Sequence, residues 1–177
     1  MNLKRLKIIG AIGCFLLAFL THFLYDWFPN VIFSIFFPVN ESIWEHMKML
    51  FTTILLYEFI EYIILKIKNI KVNNFLISSF ISAILSIPIY LIMFLPIYYK
   101  IGENMIITLI IMLITIIIVE IIHYKIIIIK NLHLDILAFI FIIITYIIMG
   151  ILTYYPPETD LFFDPQNEKY GINKYII

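Results

Sequence analysis

Apolar residues run along this chain in long blocks rather than in stripes. Five stretches, at about 8–28, 42–65, 74–99, 104–125 and 134–155, are dominated by isoleucine, leucine and phenylalanine, with short polar connections between them. A bilayer core about 30 Å thick takes about 20 apolar residues of helix, so each block is long enough to cross it. The pattern predicts an all-α fold: a bundle of five transmembrane helices over residues 1–155, followed by a tail over 156–177. Between the first two blocks, "PNVIFSIFFPVN" is too short to cross and too apolar for a solvated loop, and prolines bracket it. It predicts a short interfacial or re-entrant segment. In the third block, Ser78, Ser82 and Ser86 recur every fourth residue, a stripe of small side chains that lets a neighbouring helix approach closely. Pro88 is expected to kink that helix.

Composition agrees with the pattern. Hydrophobic residues make up 63% of the chain and charged ones 14%, against roughly 45–50% and 25% in soluble domains, so the lipid bilayer is the expected partner. A net charge of zero gives no footprint for nucleic acid. The single cysteine, Cys14, excludes an internal disulfide framework. The apolar run ahead of it is too short for a lipoprotein leader, and the first block reads as an uncleaved anchor.

Lys4, Arg5 and Lys7 precede the first block, Lys66, Lys68 and Lys71 join the second to the third, and Lys125 and Lys130 join the fourth to the fifth. The opposite connections carry only Lys100, with Lys169 and Lys174 in the tail. By the positive-inside rule the N-terminus is cytoplasmic and the C-terminus lies outside a cell membrane. An odd number of spans without an internal repeat departs from the paired halves of secondary transporters.

Against this background the polar residues stand out. "FFPVNESIWEHMKM" opens the second helix: Asn40 or Ser42 is the N-cap, and with Ser42 there, Glu45 completes a capping box. Acidic residues in a first turn and Trp44 near headgroups need no further function. His22 and Asp26 on the first helix fall in the same outer leaflet as Glu41, Glu45 and His46, and ionisable groups at that depth mark a candidate site. Glu41 and Glu45 share one helix face, and His46 is turned about 100° from Glu45. The tail, rich in aromatic residues and acids, is expected to fold back as a lid that brings Asp160 and Asp164 to this group. At the inner side, Glu58 and Glu61, and Glu120 and His123, are each three apart. Glu-x-x-His is a ligand spacing of di-metal bundles, but only one copy is present. Glu61, His123, Lys125, His133 and Asp135 are close enough to the inner surface to be read as solvated; Glu58 and Glu120 are deeper.

The pairing of "FFPVNESIWEHMK" with a later "YYPP…LFFDP…YGI" resembles an uncharacterised family of small polytopic membrane proteins from low-GC Gram-positive bacteria. The resemblance covers nearly the whole chain. It implies a compact helical bundle and carries no activity, substrate or cofactor.

Three functions compete. An outward-facing pocket of His22, Asp26, Glu41, Glu45 and His46 would bind or transport a cation or small polar solute, with a homo-oligomer supplying the rest of a pathway. A structural or accessory protein would use the same residues only as caps and ties. A membrane-embedded metal-dependent hydrolase would hold a divalent metal on histidines and carboxylates with one position open to water. Neither an HExxH pair nor a Gly-x-Ser-x-Gly elbow is present. Convergence of histidine nitrogens and carboxylate oxygens on one point would favour the hydrolase; local satisfaction of each group would favour the structural role.

Overall fold

A computed structural model describes residues 3–172. It is built from six helices: α1 (Leu3–Trp27), α2 (Val31–Phe36), α3 (Ile43–Ile67), α4 (Phe75–Ile101), α5 (Met105–Ile127) and α6 (Asp135–Tyr154). In the tail, β1 (Phe163–Asp164) and β2 (Lys169–Tyr170) pair antiparallel. Among the described residues, α1, α4, α5 and α6 are long and apolar enough to cross a membrane, which is compatible with a multi-pass membrane protein. The second long helix in chain order, α3, is set apart by its charges: Glu45, Lys48, Glu58 and Glu61 lie along it, and all four are buried. Its exposed residues from Leu56 to Ile63 are apolar.

The helix starts follow ordinary capping chemistry. Asn30, Ser42 and Asn104 each accept a hydrogen bond from the backbone N–H three residues on, satisfying one of the orphan donors of the first turn. Ser42 is therefore the cap of α3, but the capping box is only half formed. The Ser42 N–H donates to Asn40 Oδ1, and Glu45 is drawn elsewhere. Helix α2 is the short segment between prolines; it packs against α6 and turns the Ser34 carbonyl inward. Helix α4 runs unbroken through Pro88 and Pro96.

Helices α1, α3, α4 and α5 close a four-helix ring, each touching the next, and α6 lies outside it against α4 and α2. The core between them holds Cys14, Phe51, Ile54, Ala83 and Ile116, none more than 1% exposed. The serine stripe of α4 is fully buried, and Ser82 Oγ donates to the Val119 carbonyl of α5 at 3.1 Å. Close approach also governs α1 against α3. A Cβ added at Gly13 would lie 2.8 Å from the Tyr57 ring, and one at Gly10 would lie 3.1 Å from its hydroxyl.

The connections at the two ends are tied together. Asn74, in the left-handed region at φ 53°, donates to the Ile126 and Lys130 carbonyls and accepts from the Leu132 N–H. This joins the α3–α4 turn to the α5–α6 turn. At the other end the tail crosses the start of α3: the Trp44 N–H donates to the Leu161 carbonyl at 2.8 Å, and Trp44 stacks on Phe162. Gly171, at φ 66°, passes so near Thr153 and Pro156 that a Cβ there would meet the Thr153 carbonyl at 2.9 Å.

Gly13→Val wedges a branched side chain into the Tyr57 ring and is expected to destabilise the bundle by about 1–3 kcal/mol. Ile12→Val, on the exposed neighbouring position, serves as the control. Melting temperatures in detergent check both, and equal values for the two variants would contradict the close α1–α3 approach.

Candidate functional site

The polar residues of α3 and its neighbours gather into three groups, two at the tail end of the ring and one at the opposite end.

The first group joins α1, the α2–α3 connection and α3. His22 Nε2 lies 3.3 Å from His46 Nε2 and 3.7 Å from Glu41 Oε2, and His46 Nε2 lies 3.4 Å from the same oxygen. His46 Nδ1 is 2.9 Å from the Ser42 carbonyl. A carbonyl only accepts, so Nδ1 carries a proton there, and Nε2 is the ring atom that faces His22 and Glu41. His22 Nδ1 is buried with no hydrogen-bond partner among the described residues. The neighbouring imidazoles, His22 first and then His46, hold the Glu41 carboxyl well below the usual carboxylate range. Asn40, next to Glu41, donates to the Gly171 carbonyl at 3.1 Å, so the tail helps to hold the segment that presents this carboxylate. Beside the group is a cavity of about 30 Å³ lined by Glu41, His46, Tyr90, Glu103, Phe163 and Pro165, among others. It is large enough for a water molecule or two.

The second group is a closed lock. Lys48 Nζ is 2.5 Å from Glu45 Oε2, donates to the Ser34 carbonyl at 2.7 Å and to Thr153 Oγ1 at 2.8 Å, and has no further proton to give. Glu45 Oε2 also accepts from the Val39 N–H, and Oε1 accepts from Thr153 Oγ1. Ser34 Oγ meets the Tyr154 hydroxyl at 2.8 Å. Helices α2, α3 and α6 are pinned by this network, in which every member is satisfied.

The third group sits inside the ring at the opposite end. Lys7 of α1, 6% exposed, places its ammonium 3.3 Å from Glu58 Oε2, 2.8 Å from Glu61 Oε1 and 3.0 Å from Glu120 Oε2, and against His123 Nδ1. His123 Nε2 is 3.2 Å from Glu58 Oε2 and 3.4 Å from Ser79 Oγ.

Residues 1–172 match a family of unknown function, DUF6512. The chain belongs to that family. No curated protein and no solved structure matches it.

Of the outer residues expected to converge, His22, Glu41 and His46 do so. Glu45 does not: being turned from His46 around α3, it faces Lys48 and Thr153 instead. Asp26, at the end of α1, is exposed and stays out of the group, as does Asp160. Asp164 is buried, but its oxygens are occupied within its own turn by the N–H groups of Gln166 and Asn167 and the Asn167 side chain. The tail reaches the histidines through Phe163 and Pro165 rather than through its acids. At the inner end, Glu61 and His123 are not solvated but wholly buried, whereas Lys125, His133 and Asp135 are exposed.

The positive-inside count places Lys7 among the flanking basic charges, but the structure buries it inside the ring. A signal existed in the sequence: Lys7 is in helical phase with Ala11, Cys14, Ala18 and Thr21, a row of small residues that form the buried face of α1. Lys48, likewise, fell on the quoted motif without a partner, because Ser34 and Thr153 are brought to it only by α2 and α6.

Lys48→Met is expected to cost about 3–5 kcal/mol, because it leaves a buried carboxylate without a cation, whereas Lys48→Met combined with Glu45→Leu recovers most of that loss. Thermal unfolding of the single and double variants in detergent checks this; an undiminished loss in the double variant would contradict the lock.

Proposed function

We propose that this chain is a membrane-embedded, metal-dependent hydrolase whose ion is held by His22, Glu41 and His46. The observation that carries the reading is the triangle of ligand atoms, with edges of 3.3, 3.4 and 3.7 Å. Ligands about 2.0–2.1 Å from a tetrahedral zinc lie about 3.4 Å from one another. Two histidines and one carboxylate are also the donor set of catalytic rather than closed structural zinc sites. The Ser42 carbonyl behind His46 provides the outer contact that fixes a ligating imidazole in the right tautomer.

When bound, the ion would supply Lewis acidity and make a bound water a better nucleophile. The residues of the chain do the remainder. Glu41 and the histidines leave one side of the triangle open, and the small cavity adjoins it. Glu103 lines that cavity and is the carboxylate we assign to take the proton from the attacking water. Phe163, Pro165 and Tyr90 enclose the space and limit its water.

The same reading sets α3 across the membrane as the fifth span, its charges turned inward and its Leu56 to Ile63 face towards lipid. The three basic connections share one end, now with Lys4 and Arg5 but not Lys7 as the flanking charges of α1. The positive-inside rule then sets that end in the cytoplasm and the histidine group and the tail outside. Transport is the weaker reading, since the packed side chains of Phe51, Ile54 and Ile116 lie between the two ends of the ring.

Purified chain in detergent is expected to retain about one equivalent of zinc by elemental mass spectrometry. His46→Ala or Glu41→Ala should lose it, and Glu103→Gln should keep it while losing hydrolysis of amphiphilic ester or phosphodiester substrates by about 100-fold or more. Folded wild-type chain that takes up no zinc from excess would end this proposal.

A further inference from the structure

The inner cluster is over-supplied with ligands for the one cation it holds. Three carboxyl groups, from Glu58, Glu61 and Glu120, face one ammonium inside a helical ring. The shortage is also geometric. An ammonium has three protons to donate, yet Lys7 Nζ is within 3.5 Å of Glu58 Oε1, Glu58 Oε2, Glu61 Oε1, Glu120 Oε2 and His123 Nδ1. Of the two oxygens of the wholly buried Glu61, Oε1 lies 2.8 Å from the ammonium and Oε2 has no hydrogen-bond partner among the described residues, while Glu120 Oε2 lies 3.0 Å from the ammonium. His123 Nε2 can donate to Glu58, which leaves the lone pair of Nδ1 directed at Nζ. Glu58, Glu120 and His123, from two helices across the ring, offer ligand atoms within 4.8 Å of one another, Glu61 Oε1 approaches the same ammonium to 2.8 Å, and Lys7 occupies the centre on a flexible four-carbon stem.

We propose that Glu58, Glu61, Glu120 and His123 form a second divalent-cation site, which the Lys7 ammonium fills in the ion's absence and vacates when the ion enters. Carboxylate oxygens with one imidazole suit a hard or borderline ion of the manganese class. A divalent ion in place of the ammonium raises the positive charge facing the three carboxyl groups from one to two. A groove of about 520 Å³ between α1 and α5, lined by Lys7 and Glu120 together with Ile8, Ile12 and Ile117, adjoins the cluster. It provides the space into which the lysine stem swings towards the end of the ring that carries Lys4. The site is independent of His22, Glu41 and His46, which lie at the other end of the ring.

The test uses full-length chain in detergent with His22→Ala and His46→Ala, so that only the inner site is read, and manganese(II) as the probe by loss of the free-ion electron paramagnetic resonance signal. Uptake of about one equivalent is expected. Adding Lys7→Met should tighten binding about tenfold or more, because the ion no longer competes with a tethered ammonium. Adding Glu61→Gln and Glu120→Gln instead should weaken it about 100-fold, since these are direct ligands and even outer contacts are worth about 10–100-fold. Folded background chain that binds no manganese, or a Lys7→Met variant that binds it more weakly, would overturn the site and leave a structural ion pair. Should Lys7→Met fail to fold, the carboxamide variants decide alone: lost uptake upholds the site and unchanged uptake rejects it.

Discussion

A charged side chain can sit inside an apolar bundle only when the protein itself replaces the water that the charge has lost. In this molecule that requirement falls most heavily on one helix. Glu45, Lys48, Glu58 and Glu61 of α3 are all buried, and none could be accommodated unless another element brought a partner to it. Helix α2 and α6 do so for Glu45 and Lys48, and α1 and α5 do so for Glu58 and Glu61. The position of α3 between these neighbours follows from the same demand. Apolar contact is unselective within a chain so rich in isoleucine and leucine, whereas an unanswered charge excludes almost every arrangement but one.

The extents of the long helices were legible because each depends only on residues close in sequence. Blocks of about 20 apolar residues ended by Asn74, Gly102, Asn104 or the Pro156–Pro157 pair can be read one at a time. The serine stripe of α4 could be read in the same way, and Ser82 does meet the backbone of α5. The grouping of the polar residues could not. Glu45 and His46 are adjacent in sequence, yet one belongs to a lysine lock and the other to a pair of histidines, because a 100° step around α3 sends them to different neighbours. Position near a helix end proved a poor guide to solvation: Glu61 and His123 fall near the ends of α3 and α5, but the first turns of α1 cover them.

The lock and the two proposed sites differ in a way that ligand counting makes plain. Around Lys48 each proton and each carboxylate oxygen has a partner, and nothing is left to bind anything else. Around Lys7 there are more acceptors than protons. Around Glu41 two imidazoles face one carboxylate, with His22 Nδ1 unpartnered among the described residues and a cavity beside them. A network whose purpose is only structural gains from complete satisfaction. Residual acceptor capacity, held in place by a packed ring, is the property expected of a site that exchanges its occupant.

The spacing of these features along the ring has its own logic. The tight middle, where α1 runs over Tyr57 at Gly10 and Gly13 and small residues bring α4 to α5, is rigid in the sense that its approach distances leave no slack. Side chains anchored on either side of it therefore keep their mutual positions, and a 2.6 Å hydrogen bond between the Thr21 and Thr53 hydroxyls ties α1 to α3 beside the histidines. Ligand geometry at His22 and His46 depends on the relative placement of α1 and α3, and the same two helices carry Lys7 and Glu61 at the other end. A shift of α1 by a fraction of a helical turn would open both groups together. The close approach at Gly13 fixes where α1 lies on α3, and so bears on the geometry of both groups.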